Sequence, residues 1–254
     1  MESTITKELN SNDEPTIVKI QSLCRGWIVR RKNIYGIIKK FKRLQPKFSS
    51  TVRGYHIINN VPIKESVWEG INCDIVKSLF SISDEAKGNH ASGKDNRFDN
   101  INISNKTAKI ERTNISISSY RLSSVCNDKD IGISENIIEE IRTRDSSFDY
   151  YSLLVRKEKE KSHIEYMWYI IPKDCYLFRI DNINHKIGKK GKKQGEIVGW
   201  KSKYSSITFS MSSQLWYNFD IYELKKYMVC STEVDNSKPK INYSQIYNSF
   251  CNTI

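Results

Sequence analysis

The sequence predicts an α/β protein: a central mixed β-sheet flanked by helices and preceded by a basic amphipathic helix. Three observations carry that prediction. Before residue 81, apolar residues recur at three- and four-residue intervals in two segments. Between residues 95 and 211, short runs of strand character dominate, broken by turn residues and by one helical stretch. An aromatic share of 11% supplies the rings for a core, which disordered chains lack.

Residues 1–14 are polar and read as a frayed segment. From Pro15, the positions Ile17, Ile20, Cys24, Trp27, Ile34, Ile38 and Phe41 form a helical stripe, and Pro46 marks its end. A second helix starts near Pro62, carries Val67, Trp68, Ile71, Ile75, Val76, Leu79 and Phe80 towards a core, and ends at Glu85. Gly88–Lys94 reads as a loop. Strands are expected at Asp95–Phe98, Ile101–Thr107, Ile115–Leu122, Tyr150–Lys157, Ile164–Ile171 and Tyr176–Ile180, with a helix from a Ser134 N-cap through Ile141 between the third and fourth. After a Lys/Gly-rich loop, His185–Gly195, come strands Ile197–Trp200 and Ile207–Met211 and a helical region around Tyr222–Met228. Trp200 and Trp216 read as core residues. The expected organisation is a basic helical extension over residues 1–48, an α/β domain over 49–230 and a tail over 231–254.

Charge points to the partner. Lys+Arg 41 against Asp+Glu 29 leaves +12, an excess that favours a polyanion, because phosphate neutralisation and counterion release drive non-specific nucleic-acid binding. The six cysteines are scattered without a CxxC pair, which argues against a zinc site and for reduced thiols in the cytoplasm or nucleus. No apolar run is long enough for a membrane span. The richness in Ile, Asn, Lys and Tyr fits an AT-rich genome, that of a large DNA virus, with a virion-associated protein, or of a low-GC microbe.

The most informative segment surrounds Asp99-Asn100, a two-residue hairpin signal between two alternating runs. Partners then sum to 199: Phe98 faces Ile101, Arg97 faces Asn102, Asn96 faces Ile103 and Asp95 faces Ser104. Because side chains alternate along a strand, Phe98, Ile101 and Ile103 turn to the core, while Asp95, Arg97, Asn102, Ser104 and Lys106 share the other face. A carboxylate and an ammonium on one face suit phosphodiester hydrolysis, the first holding a divalent cation and the second acting on water.

Asp95 followed by Ser104-Asn105-Lys106 resembles the PD-(D/E)XK nuclease motif, with a separation of 104 − 95 = 9 similar to that in some type II restriction endonucleases. Ser92-Gly93-Lys94-Asp95, Ile117-Ser-Ser-Tyr-Arg121 and Met211-Ser-Ser-Gln-Leu-Trp216 are similar to that group too. The resemblance covers about Val61 to Phe219 and implies a restriction-endonuclease-like fold and Mg²⁺- or Mn²⁺-dependent cleavage of double-stranded DNA, with a homodimer left open. Asp95 would be the first metal ligand and Lys106 the lysine of the motif. Ser104 stands where the family has Asp or Glu; some members with serine there recruit a glutamate from a neighbouring helix. Glu85 is the choice for that ligand and Glu111 the rival. His90 can contact a phosphate or relay a proton, or be simply solvated. Ser92 and Lys94 precede the hairpin, and Tyr120 and Arg121 can grip the DNA backbone. Lys189, Lys190, Lys192 and Lys193, among glycines, suit either a phosphate-tracking arm or an ordinary surface loop. The runner-up is a catalytically degenerate DNA-binding or packaging protein on the same fold, and a third reading is a calmodulin-binding adaptor.

In the first helix, Ile20-Gln21 followed by Arg25-Gly26 and Arg30 resembles an IQ motif, the calmodulin-binding pattern, with Asn33 in place of the usual terminal hydrophobe. A basic amphipathic helix can lay its apolar stripe in a partner's groove. Packing on its own domain, or binding phosphate, are the competing readings.

Overall fold

The computed structural model describes residues 34–85, 95–121, 134–160, 162–189, 193–209, 214–237 and 240–251. The IQ-like residues Ile20, Gln21, Arg25, Gly26 and Arg30 lie outside them, as do His90, Ser92, Lys94, Lys190 and Lys192. So do the side chains of Glu85, Tyr120 and Arg121, whose backbone is described.

Among the described residues three helices come first: α1 over residues 34–42, α2 Gln45–Ile58 and α3 Glu65–Lys77. Pro46 opens α2 instead of closing α1 alone: it occupies the first turn, where a missing N–H costs nothing. One stripe runs through both helices, with Ile37, Ile38, Phe41, Leu44, Phe48, Val52 and His56 all buried. The boundary expected at residue 48 therefore falls inside a packed helix. In α3, Trp68, Asn72, Ile75 and Val76 face inward, and the helix stops before Leu79 and Phe80.

Eleven strands follow: β1 Ile82–Glu85, β2 Asn96–Phe98, β3 Ile101–Glu111, β4 Asn114–Arg121, β5 Tyr150–Glu160, β6 His163–Pro172, β7 Asn184–Ile187, β8 Ile197–Lys201, β9 Ser205–Thr208, β10 Gln214–Asp220 and β11 Met228–Asp235. Helix α4, Ser134–Asp145, lies in the crossover from β3 to β5, and α5, Tyr243–Cys251, comes last. Glu85 thus sits on a strand, not at a helix end. Tyr176–Phe178 is one 3₁₀ turn where a strand was expected, and Ile221–Tyr227 is 3₁₀ as well.

The strands form one mixed sheet in the order β11-β6-β5-β3-β4-β10-β9-β8-β7, with β1-β2 attached to β3 as a branch. Among the described residues only β3 and β5 pair in parallel, from Ile103↔Tyr150 to Lys109↔Arg156, which a long crossover permits. The expected organisation into an α/β fold around a mixed sheet is therefore present. The expected tail is not: residues 231–235 belong to β11, paired with β6 from Met228↔Tyr169 to Asp235↔His163.

Strand β3 is where the sheet forks. Along one edge it pairs with β5; along the other, Ile101–Ile103 pair with β2 and Ile110–Glu111 with β4, leaving residues 104–109 paired with neither. One core lies between α1–α3 and the sheet, where Phe48 packs on Trp168 at 5.8 Å and Trp168 meets Phe41 and Trp68 edge-on, both at 5.4 Å. The same core continues under the β4–β10 arm, where Phe178 bridges Tyr151 at 4.4 Å and Tyr217 at 5.0 Å. Among the described residues, no helix is long and apolar enough to cross a membrane.

Candidate active site

The β2–β3 hairpin has the register its sequence predicts: Asn96↔Ile103, Arg97↔Asn102 and Phe98↔Ile101. Its turn residues, Asp99 at φ 43° and Asn100 at φ 68°, both take the left-handed conformation a two-residue hairpin turn demands. Phe98 and Ile103 are fully buried, as the alternation requires.

The ladder changes character at Asp95. Its N–H donates to the Ile103 carbonyl at 2.9 Å, and its carboxylate reaches past Ser104 to accept the Asn105 N–H through Oδ2 at 2.5 Å. Asp95 thereby borders the stretch of β3 that β2 and β4 leave uncovered. Burial pushes its pKa up; the Lys106 charge and the bonds from Asn105 and the Ser104 hydroxyl pull it back, while Glu65 adds to the rise. Ser104 is itself buried.

Lys106 completes the cluster from an acid the sequence reading missed. Its ammonium donates to Glu65 Oε1 at 2.8 Å, with the lysine side chain 13% exposed and the glutamate 37%. Glu65 is the first residue of α3, a position whose helix-dipole field favours a carboxylate. The lysine is thus bonded to the half-buried carboxylate on α3, while its charge also acts on the sheltered Asp95 carboxylate. Nothing local in the sequence links positions 65 and 106, 41 residues apart; the only available signal was an acid opening the helix that precedes the sheet.

Of the other candidates, Glu85 is aligned with Asn96, next to Asp95. Glu111 closes the β3–β4 hairpin opposite Asn114, seven residues past Ser104 (111 − 104 = 7). At the usual rise that is about 23 Å along the strand, too far to join Asp95. Arg97 is engaged by its own turn, donating to Asn100 Oδ1 at 3.0 Å. Tyr120 and Arg121 end β4, with Arg121 aligned to Gln214. Lys189 and Lys193 are exposed on the β7–β8 connection, whose base is closed by Gly188 N–H to Glu196 O at 2.9 Å and Gly195 N–H to Gly188 O at 3.0 Å.

Behind the site lies a buried polar patch. Asn105 pairs with Ser152 across the parallel ladder. The Ser152 hydroxyl accepts from Asn72 Nδ2 at 2.5 Å and Trp168 Nε1 at 2.9 Å, and its carbonyl accepts from Trp68 Nε1 at 3.3 Å. This network fixes the β3–β5 pair against α3, and so the spacing between Glu65 and Lys106.

Among the described residues no cluster of three or more His, Cys, Asp or Glu side chains stands ready for a metal. Two carboxylates flanking one lysine are nevertheless a hard-oxygen set of the size Mg²⁺ uses, since that ion keeps several waters and takes one or two carboxylates with substrate phosphates. The chain matches no protein-family model, no curated protein and no solved structure.

Proposed function

We propose that the protein is a Mg²⁺-dependent DNA endonuclease of the PD-(D/E)XK type, with its site at Asp95, Ser104, Lys106 and Glu65. The observation that carries this reading is the Lys106 ammonium bonded to Glu65 and acting on the buried Asp95 carboxylate, on the stretch of β3 that neither β2 nor β4 covers. Helix α3, the antiparallel β1–β2–β3 run, the α4 crossover and parallel β5 also fit the mixed sheet between helices that the resemblance implies.

Asp95 and Glu65 would hold the cation, which would neutralise charge on a phosphodiester and acidify water. Ser104 donates to Asp95 and steers its carboxylate. Lys106, released from Glu65 when that carboxylate is engaged elsewhere, presents its ammonium to the attacking water and orients it. Such help is given chiefly to the transition state, so losing it lowers turnover more than binding.

A second reading keeps the fold and the DNA but not the chemistry. The closed Lys106–Glu65 pair and the serine at position 104 favour it, because the same ion pair can simply tie α3 to β3.

The test is incubation of the pure protein with supercoiled plasmid, with and without Mg²⁺ or Mn²⁺. Cleavage should need the metal, fall about a hundredfold or more in Lys106→Ala, and fall in Glu65→Gln. Glu85→Gln measured beside it decides which glutamate joins Asp95. Undiminished cleavage by Lys106→Ala rules out the assignment. Binding without cleavage under every metal gives the degenerate reading.

A further inference from the structure

Trp216 is not a core residue. Trp68, Trp168 and Trp200 are fully buried, but Trp216 is 40% exposed. It stands mid-sheet on the outer face of the β4–β10–β9–β8–β7 arm, whose inner face carries Ile117, Tyr217, Ile207 and Trp200 into the core.

The register shows what surrounds it. Trp216 is aligned with Ser118 on β4 and Ser206 on β9; Ser206 is aligned with Lys201 on β8, and Lys201 with Asn184 on β7. One row across five strands therefore reads Ser118, Trp216, Ser206, Lys201, Asn184. At about 4.8 Å per strand, the Trp216 and Lys201 backbones are about 10 Å apart. In the neighbouring row Lys186, Gly199 and Thr208 are aligned. Gly199 has φ 151°, and a Cβ there would stand 2.2 Å from the Ile207 carbonyl oxygen. The glycine lets β8 and β9 approach, and the Lys186 ammonium reaches over it to Ile207 O at 3.2 Å. Lys186 and Lys201 are close enough that Lys201, after burial, depresses the Lys186 pKa.

This face has a sign. Among the described residues, Lys186 and Lys201 stand in no ion pair. Asp220, at the far end of β10, already accepts the Tyr222 N–H at 2.9 Å. An exposed indole flanked by hydroxyls, with two unneutralised ammonium groups two and three strands away, matches an unstacked base and its phosphates. A duplex keeps its base faces covered; a single strand offers them to an aromatic side chain, while cations follow the backbone.

We propose that the outer face of this sheet arm binds single-stranded nucleic acid, one base stacking on Trp216 and the strand's phosphates lying towards Lys201 and Lys186. The surface is distinct from the Asp95 site, and the proposal stands whether or not that site cleaves.

The experiment is a titration of the full chain with a labelled oligothymidylate in EDTA, beside a duplex and a neutral dextran. Trp216→Ala should weaken oligothymidylate binding about tenfold or more, and Trp216→Phe should retain most of it. Lys186→Ala with Lys201→Ala should shrink the dependence of log affinity on log salt by about 1.4, from about 0.7 per phosphate contact. Oligothymidylate should also quench wild-type emission more than that of Trp216→Phe, a readout that survives if the alanine variant misfolds. Equal affinity of wild type and Trp216→Ala, or equal quenching of wild type and Trp216→Phe, overturns the proposal. So does binding of the duplex or the dextran that depends on Trp216 as strongly.

Discussion

Asp95 is held against its own solvation. Burial raises its pKa above the ordinary carboxylate value despite Lys106, Asn105 and Ser104. The native state therefore keeps the proton to higher pH than the unfolded chain, whose carboxylate titrates near 3.9. Stability falls as pH rises from that unfolded value through the raised native one, and the penalty is fully present above it. Asp95→Asn removes the charge while its amide oxygen can still accept the Asn105 N–H. The variant should be more stable than wild type at neutral pH, by about 1 kcal/mol, and the gain should vanish near pH 3. Urea melts at the two pH values measure this; a variant less stable than wild type at neutral pH contradicts the account. Such a cost at a carboxylate near a lysine fits the proposed site.

At the scale of the element, the β2–β3 hairpin was legible because its two constraints are local. Asp99-Asn100 names the turn, and period-two alternation names the face, so Phe98, Ile103 and the polar set followed without tertiary information. Asn100, at φ 68°, also accepts from Arg97. Asn100→Ala should cost about 1–2 kcal/mol from left-handed strain alone, whereas Asn100→Gly should recover most of it. Thermal melts of the pair check this, and equal melts for alanine and glycine would remove turn strain as the cause. Elements that depend on distant partners were not legible in this way. The α2 stripe of Phe48, Val52 and His56 is diluted by two serines, a threonine and a glycine, so from the sequence Pro46 looks like a stop. In β10, Leu215, Tyr217 and Phe219 alternate inward, but Trp216 between them obscures the period-two pattern. Strand β11 merged with the apparent helix at Tyr222–Met228. Glu65 was hidden for the same reason as β11: its partner is set by the packing of α3 on the sheet, and no local pattern records that.

For the whole molecule, the consequence is that both ends of the described chain close one core. Cys230 Sγ on β11 donates to the Phe41 carbonyl at 3.7 Å. Gln45 pairs its side-chain amide with the outer edge of the same strand, donating to Ser231 O at 2.7 Å and accepting from Ser231 N–H at 3.0 Å. An edge strand otherwise open to pairing is thereby covered by a helix. A calmodulin-like partner taking residues beyond 34 would have to extract Ile37, Ile38, Phe41 and Leu44 from this core. The domain boundaries drawn from sequence make a direct test. A fragment of residues 49–230 lacks Phe41, Leu44 and Gln45 and most of β11. Truncating one buried Phe typically costs about 3–5 kcal/mol, against a total stability of about 5–15 kcal/mol, and losing a sheet strand as well should exceed what remains. That fragment should show no cooperative thermal transition, whereas residues 34–251 should unfold cooperatively, close to the full chain. Circular dichroism melts of the two fragments decide it. A cooperative melt from 49–230 near that of the full chain would mean that α1 and β11 are accessories to a core completed without them.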